Sequence, residues 1–202
     1  AKSTFAVFLG LRSENKYDTT SEKLFERMEK EIISPKEKME LLKHYVYSVI
    51  IQHEDMHTKN LSLIYDKDLV FFAPLYDVSC TGIYDTSKGY DSHLTINGKQ
   101  SNIRPNDFKP LCKILKIDFK EFKEEAFKIA KLYETELPSY IEEIKALGLI
   151  PFNKKKQKAR IGEGAYLKVS KTPIEFHEVL TKFHKERVEH LKALGWIINE
   201  SL

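Results

Sequence analysis

The chain has 202 residues, 42% of them apolar, with 12 Phe, 10 Tyr and 1 Trp, enough greasy surface to bury a core and to exclude a disordered chain. Only 8 Gly and 7 Pro exclude a collagen-like or low-complexity polymer, and apolar runs such as Leu69 to Leu75 are far too short to span a membrane. A net charge of +3, from 33 basic and 30 acidic residues, by itself selects neither nucleic acid nor a membrane as partner.

Taken in chain order, the first helix is expected from Ser21 to Ile33. Ser34-Pro35-Lys36-Glu37 then reads as a second helix start: a capping hydroxyl, Pro at the first helical position, and Glu at the third to satisfy a free backbone donor. Behind it Met39, Leu42, Tyr45, Val46, Val49 and Ile50 line one face. The pattern then changes. Leu61 to Tyr65 and Leu69 to Phe72 flank Asp66-Lys67-Asp68 as a short hairpin, and Leu94-Thr95-Ile96 ahead of Asn97-Gly98 predicts a second turn, because Asn-Gly readily supplies positive φ.

Helices return after that. A short one is expected over Pro110 to Leu115, and Asp118 caps another with Phe122, Ala126, Ile129, Ala130 and Tyr133 on its buried face. A further short helix is expected from Pro138 to Leu147 with Gly148 as terminator, and a last one from Thr172-Pro173-Ile174-Glu175. The outline is a mainly α chain with a small β insert near residues 61–103, forming one domain over 1–202. His177, His184 and His190 on the last helix are too far apart for a shared metal and are expected to be solvated. The basic run Lys154, Lys155, Lys156, Lys158 and Arg160 is expected as a loop, with nucleic-acid contact as its alternative. Cys80 and Cys112 lack metal-type spacing and suit a reducing cytoplasm. No basic-then-apolar leader opens the chain, so neither a signal peptide nor a membrane partner is expected.

The chemistry concentrates in His53-Glu54-Asp55-Met56-His57-Thr58-Lys59-Asn60. Asp55 and Asn60 have the D-x-x-x-x-N spacing of a kinase catalytic loop. A phosphoryl acceptor hydroxyl needs a carboxylate to orient it and take its proton. A neutral amide oxygen can ligate Mg²⁺ without adding negative charge beside the phosphates. A second metal-holding carboxylate should follow a short hairpin, and Asp77 does. Lys59 could place a cation near the phosphates, and His57 or Thr58 could offer donors, though each alone is equally explained as structure. Tyr76 is balanced between core packing and nucleotide contact. The same letters also read His-Glu-x-x-His from His53 to His57, a zinc-hydrolase pattern that requires those residues inside a helix.

His53 to Asn60 followed by Leu61-Ser62-Leu63-Ile64-Tyr65, and then Ala73-Pro74-Leu75-Tyr76-Asp77-Val78, resembles the HipA family of bacterial toxin kinases over about residues 5 to 117. Members carry D-x-H-x-K-N, a hairpin and P-x-Y-D. Aminoglycoside-type phosphotransferases share a similar loop but lack the P-x-Y-D continuation. The resemblance implies a helical kinase C-lobe from an ATP- and Mg²⁺-dependent serine/threonine kinase of a toxin–antitoxin system. Its protein substrate would be one such as an aminoacyl-tRNA synthetase, so that translation stops. The resemblance further implies a helix-turn-helix antitoxin as partner, and DNA through that complex. By motif, Asp55 would be the catalytic base, with Asn60 and Asp77 as Mg²⁺ ligands. His57, Thr58, Lys59, Asn60, Tyr76 and Asp77 would line the nucleotide phosphates. His53-Glu54 stands where the family often has Asn-Thr or a small residue.

A kinase also needs a β-rich lobe with a phosphate-covering loop and a paired lysine. No G-x-G-x-x-G precedes residue 53, and the chain opens on Ala1. The expectation is therefore an N-lobe supplied as a separate chain or removed, with Phe5, Val7, Phe8 and Leu11 packing against it or against the helical core. The alternative from another class is a catalytically silent lobe that binds an antitoxin or other partner.

Overall fold

The computed structural model describes residues 2–5, 10, 19–31, 34–58, 60–67, 69–84, 87–152, 158–159, 166–167 and 174–198. The chain is mainly helical. Strand β1 (Lys2–Thr4) is followed by helix α1 (Ser21–Glu29), helix α2 (Pro35–Ile51), and the hairpin β2 (Ser62–Asp66) with β3 (Leu69–Phe72). Two 3₁₀ turns, Thr81–Ile83 and Pro105–Phe108, precede α3 (Lys109–Leu115) and the long α4 (Phe119–Ala146). The two-residue strands β4 (Pro151–Phe152), β5 (Lys158–Ala159), β6 (Tyr166–Leu167) and β7 (Ile174–Glu175) lead to α5 (Phe176–Leu194). Sheet order is β1-β2-β3, all antiparallel, with separate β4-β7 and β5-β6 ribbons.

The caps separate sequence pattern from realised bonds. Asp118 accepts from the N–H groups of Lys120 and Glu121, both at 2.9 Å, as its position predicts. Ser34 makes no side-chain cap bond although α2 starts at Pro35. Its expected partner Glu37 is diverted: one carboxylate oxygen accepts the Phe72 N–H at 2.7 Å and so ties the helix start to the hairpin. At the end of the chain the helix begins at Phe176 rather than Pro173. Ile174 and Glu175 are extended and pair with Phe152 and Pro151, which consumes the backbone a first helical turn would use. Thr172 and Pro173 lie outside the described residues.

The helix expected at Pro138–Leu147 is the second half of α4, which runs through Pro138 without a break. Pro138 is exposed, so the carbonyl one turn before it, left without an N–H partner and pushed aside by the ring, can turn to water, which offsets part of a cost of about 3 kcal/mol. The expected small hairpin insert near 61–103 is β2–β3, which ends at Phe72. Among the described residues the rest of that span holds no further strand, only the 3₁₀ turn and the isolated Ile96–Lys99 bridge. That bridge closes the predicted Asn97-Gly98 turn, with φ of 50° and 74° at the two positions.

One core joins these elements. Phe25 meets Tyr45 edge-on at 4.8 Å between α1 and α2. Phe108 stacks on Phe122 at 5.1 Å, and Trp196 meets Phe108 edge-on while its indole N–H donates to the Ile103 carbonyl at 2.7 Å. Phe5 is fully buried and packs on Phe72, so it joins the helical core; Val7, Phe8 and Leu11 lie outside the described residues. Among the described residues no helix is long and apolar enough to cross a membrane. Cys80 and Cys112 are both free thiols.

Candidate active site

Helix α2 stops on a left-handed residue. Gln52 has φ 57° and ψ 56°, and the N–H of His53 returns to the Ser48 carbonyl at 2.9 Å, so the chain leaves the helix before the first histidine. This overturns the zinc-hydrolase reading, because His53 and His57 lie in a loop and cannot share a helix face one turn apart. Glu54, its supposed base, is otherwise occupied. Its carboxylate accepts from Ser87 Oγ, from the Lys88 N–H at 3.0 Å and from the Tyr90 N–H at 2.9 Å.

The loop is pinned from several directions. Met56, His57, Thr58 and Asn60 are buried, whereas the Asp55 side chain keeps 57% of its surface exposed. Asn60 Nδ2 donates to the Asp55 carbonyl at 3.0 Å, and the Asn60 N–H donates to the His57 carbonyl at 2.9 Å. With its NH₂ used inside the loop, the amide oxygen of Asn60 is left as the atom able to meet a cation. His57 Nε2 lies 3.8 Å from an Asp55 carboxylate oxygen. Lys59 lies outside the described residues.

The hairpin delivers the second carboxylate. Tyr76 is fastened to it by a 2.6 Å hydrogen bond between its Oη and Ser62 Oγ. Asp77 follows in the left-handed region (φ 53°) with its side chain exposed. Buried His53 sits between loop and hairpin. Desolvation pushes its imidazole below the usual pKa, against the opposing pull of the Asp55 and Asp77 carboxylates and a hydrogen bond to the Ser79 backbone. Both carboxylates thus act on one imidazole. Thr81 closes the far side, donating to the Gln52 carbonyl at 2.7 Å and accepting the Glu54 N–H at 2.8 Å. Gly82 sits close against two side chains: a Cβ there would stand 2.3 Å from Gln52 Oε1 and 2.5 Å from the Phe183 ring, so both would have to shift.

One group the motif reading missed is Arg187 on α5. Its side chain is 4% exposed, pairs with Asp91 at 2.8 Å, and donates from Nε to the Ile50 carbonyl at 2.9 Å and from a second nitrogen to the Val49 carbonyl. A cation thereby satisfies the last carbonyls of the helix that launches the loop. Asp91 also accepts the Ile103 N–H at 3.1 Å.

The sequence model of the HipA-like C-terminal domain matches residues 2–147, well over half of the chain. The chain belongs to the HipA-like C-terminal domain family. Among solved structures, HipA of the toxin–antitoxin system of Shewanella oneidensis MR-1, solved as a complex of HipA, HipB and its operator DNA, has a similar fold. The TM-score is 0.66 at 13% identity, over 97% of this chain and 44% of that one. This chain therefore spans less than half the length of that HipA. No curated protein matches. The HipA-like match reaches beyond residue 117 into α4, and leaves the Arg187 clasp outside its bounds. Glu54 has a physical role: it is the hook on which residues 87–90 hang. On α5, two of the three histidines expected in solvent, His177 and His184, are engaged. His184 Nε2 lies 3.0 Å from the Tyr133 carbonyl, and His177 Nδ1 lies 3.1 Å from Glu175. Lys154, Lys155, Lys156 and Arg160 lie outside the described residues, and of Lys158 only the backbone is described.

Proposed function

We propose that this chain is the catalytic lobe of an ATP- and Mg²⁺-dependent serine/threonine kinase of a toxin–antitoxin system. The observation that supports the reading is an exposed Asp55 on a loop whose buried Asn60 spends its side-chain NH₂ on the Asp55 carbonyl, followed by a hairpin that leads to an exposed Asp77. These are hard oxygen donors, the kind Mg²⁺ takes together with phosphate oxygens. Asn60 Oδ1 and the Asp77 carboxylate would hold the ion, whose chemistry is to neutralise charge on the phosphates during transfer.

Asp55 orients the acceptor hydroxyl and takes its proton, which suits a carboxylate open to solvent on a loop whose neighbours are buried. His57, Thr58, Lys59 and Tyr76 line the phosphate side. The nucleotide cleft is completed by an N-lobe outside these residues, so the 202-residue chain alone has little kinase activity. The S. oneidensis complex supports a small DNA-binding antitoxin as partner, with DNA reached through it. A translation protein such as an aminoacyl-tRNA synthetase is the substrate proposed from the family resemblance.

In protein carrying both lobes, Asp55→Asn should lower phosphoryl transfer by about 10²–10⁴-fold while leaving antitoxin binding unchanged. Transfer at the wild-type rate in that variant would contradict the assignment. Toxicity unaffected by the substitution would favour a lobe that acts by binding alone.

A further inference from the structure

A cavity of about 600 Å³ opens beside Asp55, and neither Asn60 nor Asp77 lines it. In in-line transfer the acceptor oxygen lies between the base and the phosphorus, opposite the leaving oxygen, so the rest of the acceptor reaches the base from a side that the metal ligands do not occupy. This cavity, lined by Asp55 and by neither proposed metal ligand, is such a side. Its wall is the segment from Ser87 to Tyr90, held by the three bonds to Glu54, and its other faces include Thr81 and Tyr84.

We propose that the cavity takes the hydroxyl-bearing side chain of a polypeptide substrate, and that Lys88 at its mouth selects an acidic residue beside the acceptor. The inference rests on the kinase reading for the identity of the reaction. The charge argument is local. Of the two carboxylates that line the cavity, Glu54 is occupied by its three donors, and Asp55 is the base that meets the acceptor hydroxyl itself. Lys88 is exposed, and its ammonium stands 5.9 Å from the centroid of the Tyr90 ring. Among the described residues it makes no ion pair, so a substrate carboxylate can approach it directly. Its backbone N–H, not its side chain, holds the wall, so Lys88 can be changed without unhooking the segment. Tyr84, 45% exposed, gives the same mouth an apolar face on which an extended peptide can lie.

The test is a fluorescence anisotropy titration of the protein, without ATP and at low salt, with two labelled decapeptides. One has a central Ser flanked by Glu, the other the same Ser flanked by Lys. The expected result is at least about fivefold tighter binding of the Glu-flanked peptide, reduced in Lys88→Ala and reversed in Lys88→Glu. Equal binding of the two peptides, or a preference unchanged in Lys88→Glu, would overturn the proposal. Because no nucleotide is present, a failure of phosphoryl transfer in the Asp55 experiment counts against the kinase reading and leaves this result unmoved.

Discussion

His44 and His53 are two imidazoles that the fold holds neutral, and both depend on single ring nitrogens. His44 Nδ1 donates to the Glu40 carbonyl at 2.7 Å, while its buried Nε2 has no partner and the ring meets Phe72 edge-on at 4.3 Å. Protonating Nε2 would leave an unpaired N–H against an aromatic ring. Burial accordingly lowers the pKa of His44, outweighing the nearby Glu40 carbonyl and carboxylate. In the unfolded chain the group titrates near its ordinary value of about 6.5. Below that pH the unfolded chain binds the proton and the native one does not, so stability falls with pH until the native imidazole itself protonates. Urea midpoints followed by Trp196 fluorescence should drop more between pH 7.5 and 5.5 in the wild type than in His44→Gln. Equal drops would show that His44 is indifferent to its burial. Sequence alone marks neither histidine as buried and neutral, because that depends on Phe72 and on the hairpin folding back over α2.

At the scale of elements, what was legible is what local sequence controls. The hairpin, the Asn97-Gly98 turn and the Asp118 cap all follow from residues within a few positions of each other. What was hidden depends on distant partners. Glu37 had the right spacing for a capping box but serves Phe72, 35 residues away. The strand pairing of Ile174 and Glu175 with Phe152 and Pro151 displaced a helix start that the local pattern favoured. The clasp of Arg187 on α2 bridges 137 residues to Ile50. Breaking that clasp strands a buried charge, so Arg187→Met or Asp91→Leu should each cost about 3–5 kcal/mol of unfolding free energy. The double substitution should cost less than the sum of the two, because the apolar pair leaves no charge behind. Denaturation curves for the three variants decide it. Additive losses would mean that the ion pair is not the feature that links α5 to the loop.

For the whole molecule, the HipA-like family and the mainly helical class could be read from two motifs and a hairpin, because those segments carry their geometry in consecutive residues. For the candidate site, spacing alone points to Asp55, Asn60 and Asp77, and their shared role is the proposal above, whereas Glu54 as a hook and Arg187 as a clasp come from the fold. The buried loop anchors, the left-handed Gln52 and the bonds of Glu54 to residues 87–90 together fix the loop that carries Asp55 and Asn60. The most direct measurement is paramagnetic broadening of NMR signals on adding Mn²⁺-ATP to the protein, with Mn²⁺ standing in for Mg²⁺. The account predicts that Asp55, the Asn60 side-chain amide and Asp77 broaden together, and that Asp77→Asn weakens the effect at all three. Broadening confined to other acidic residues, or reaching only one of the three, would contradict a shared metal-nucleotide site.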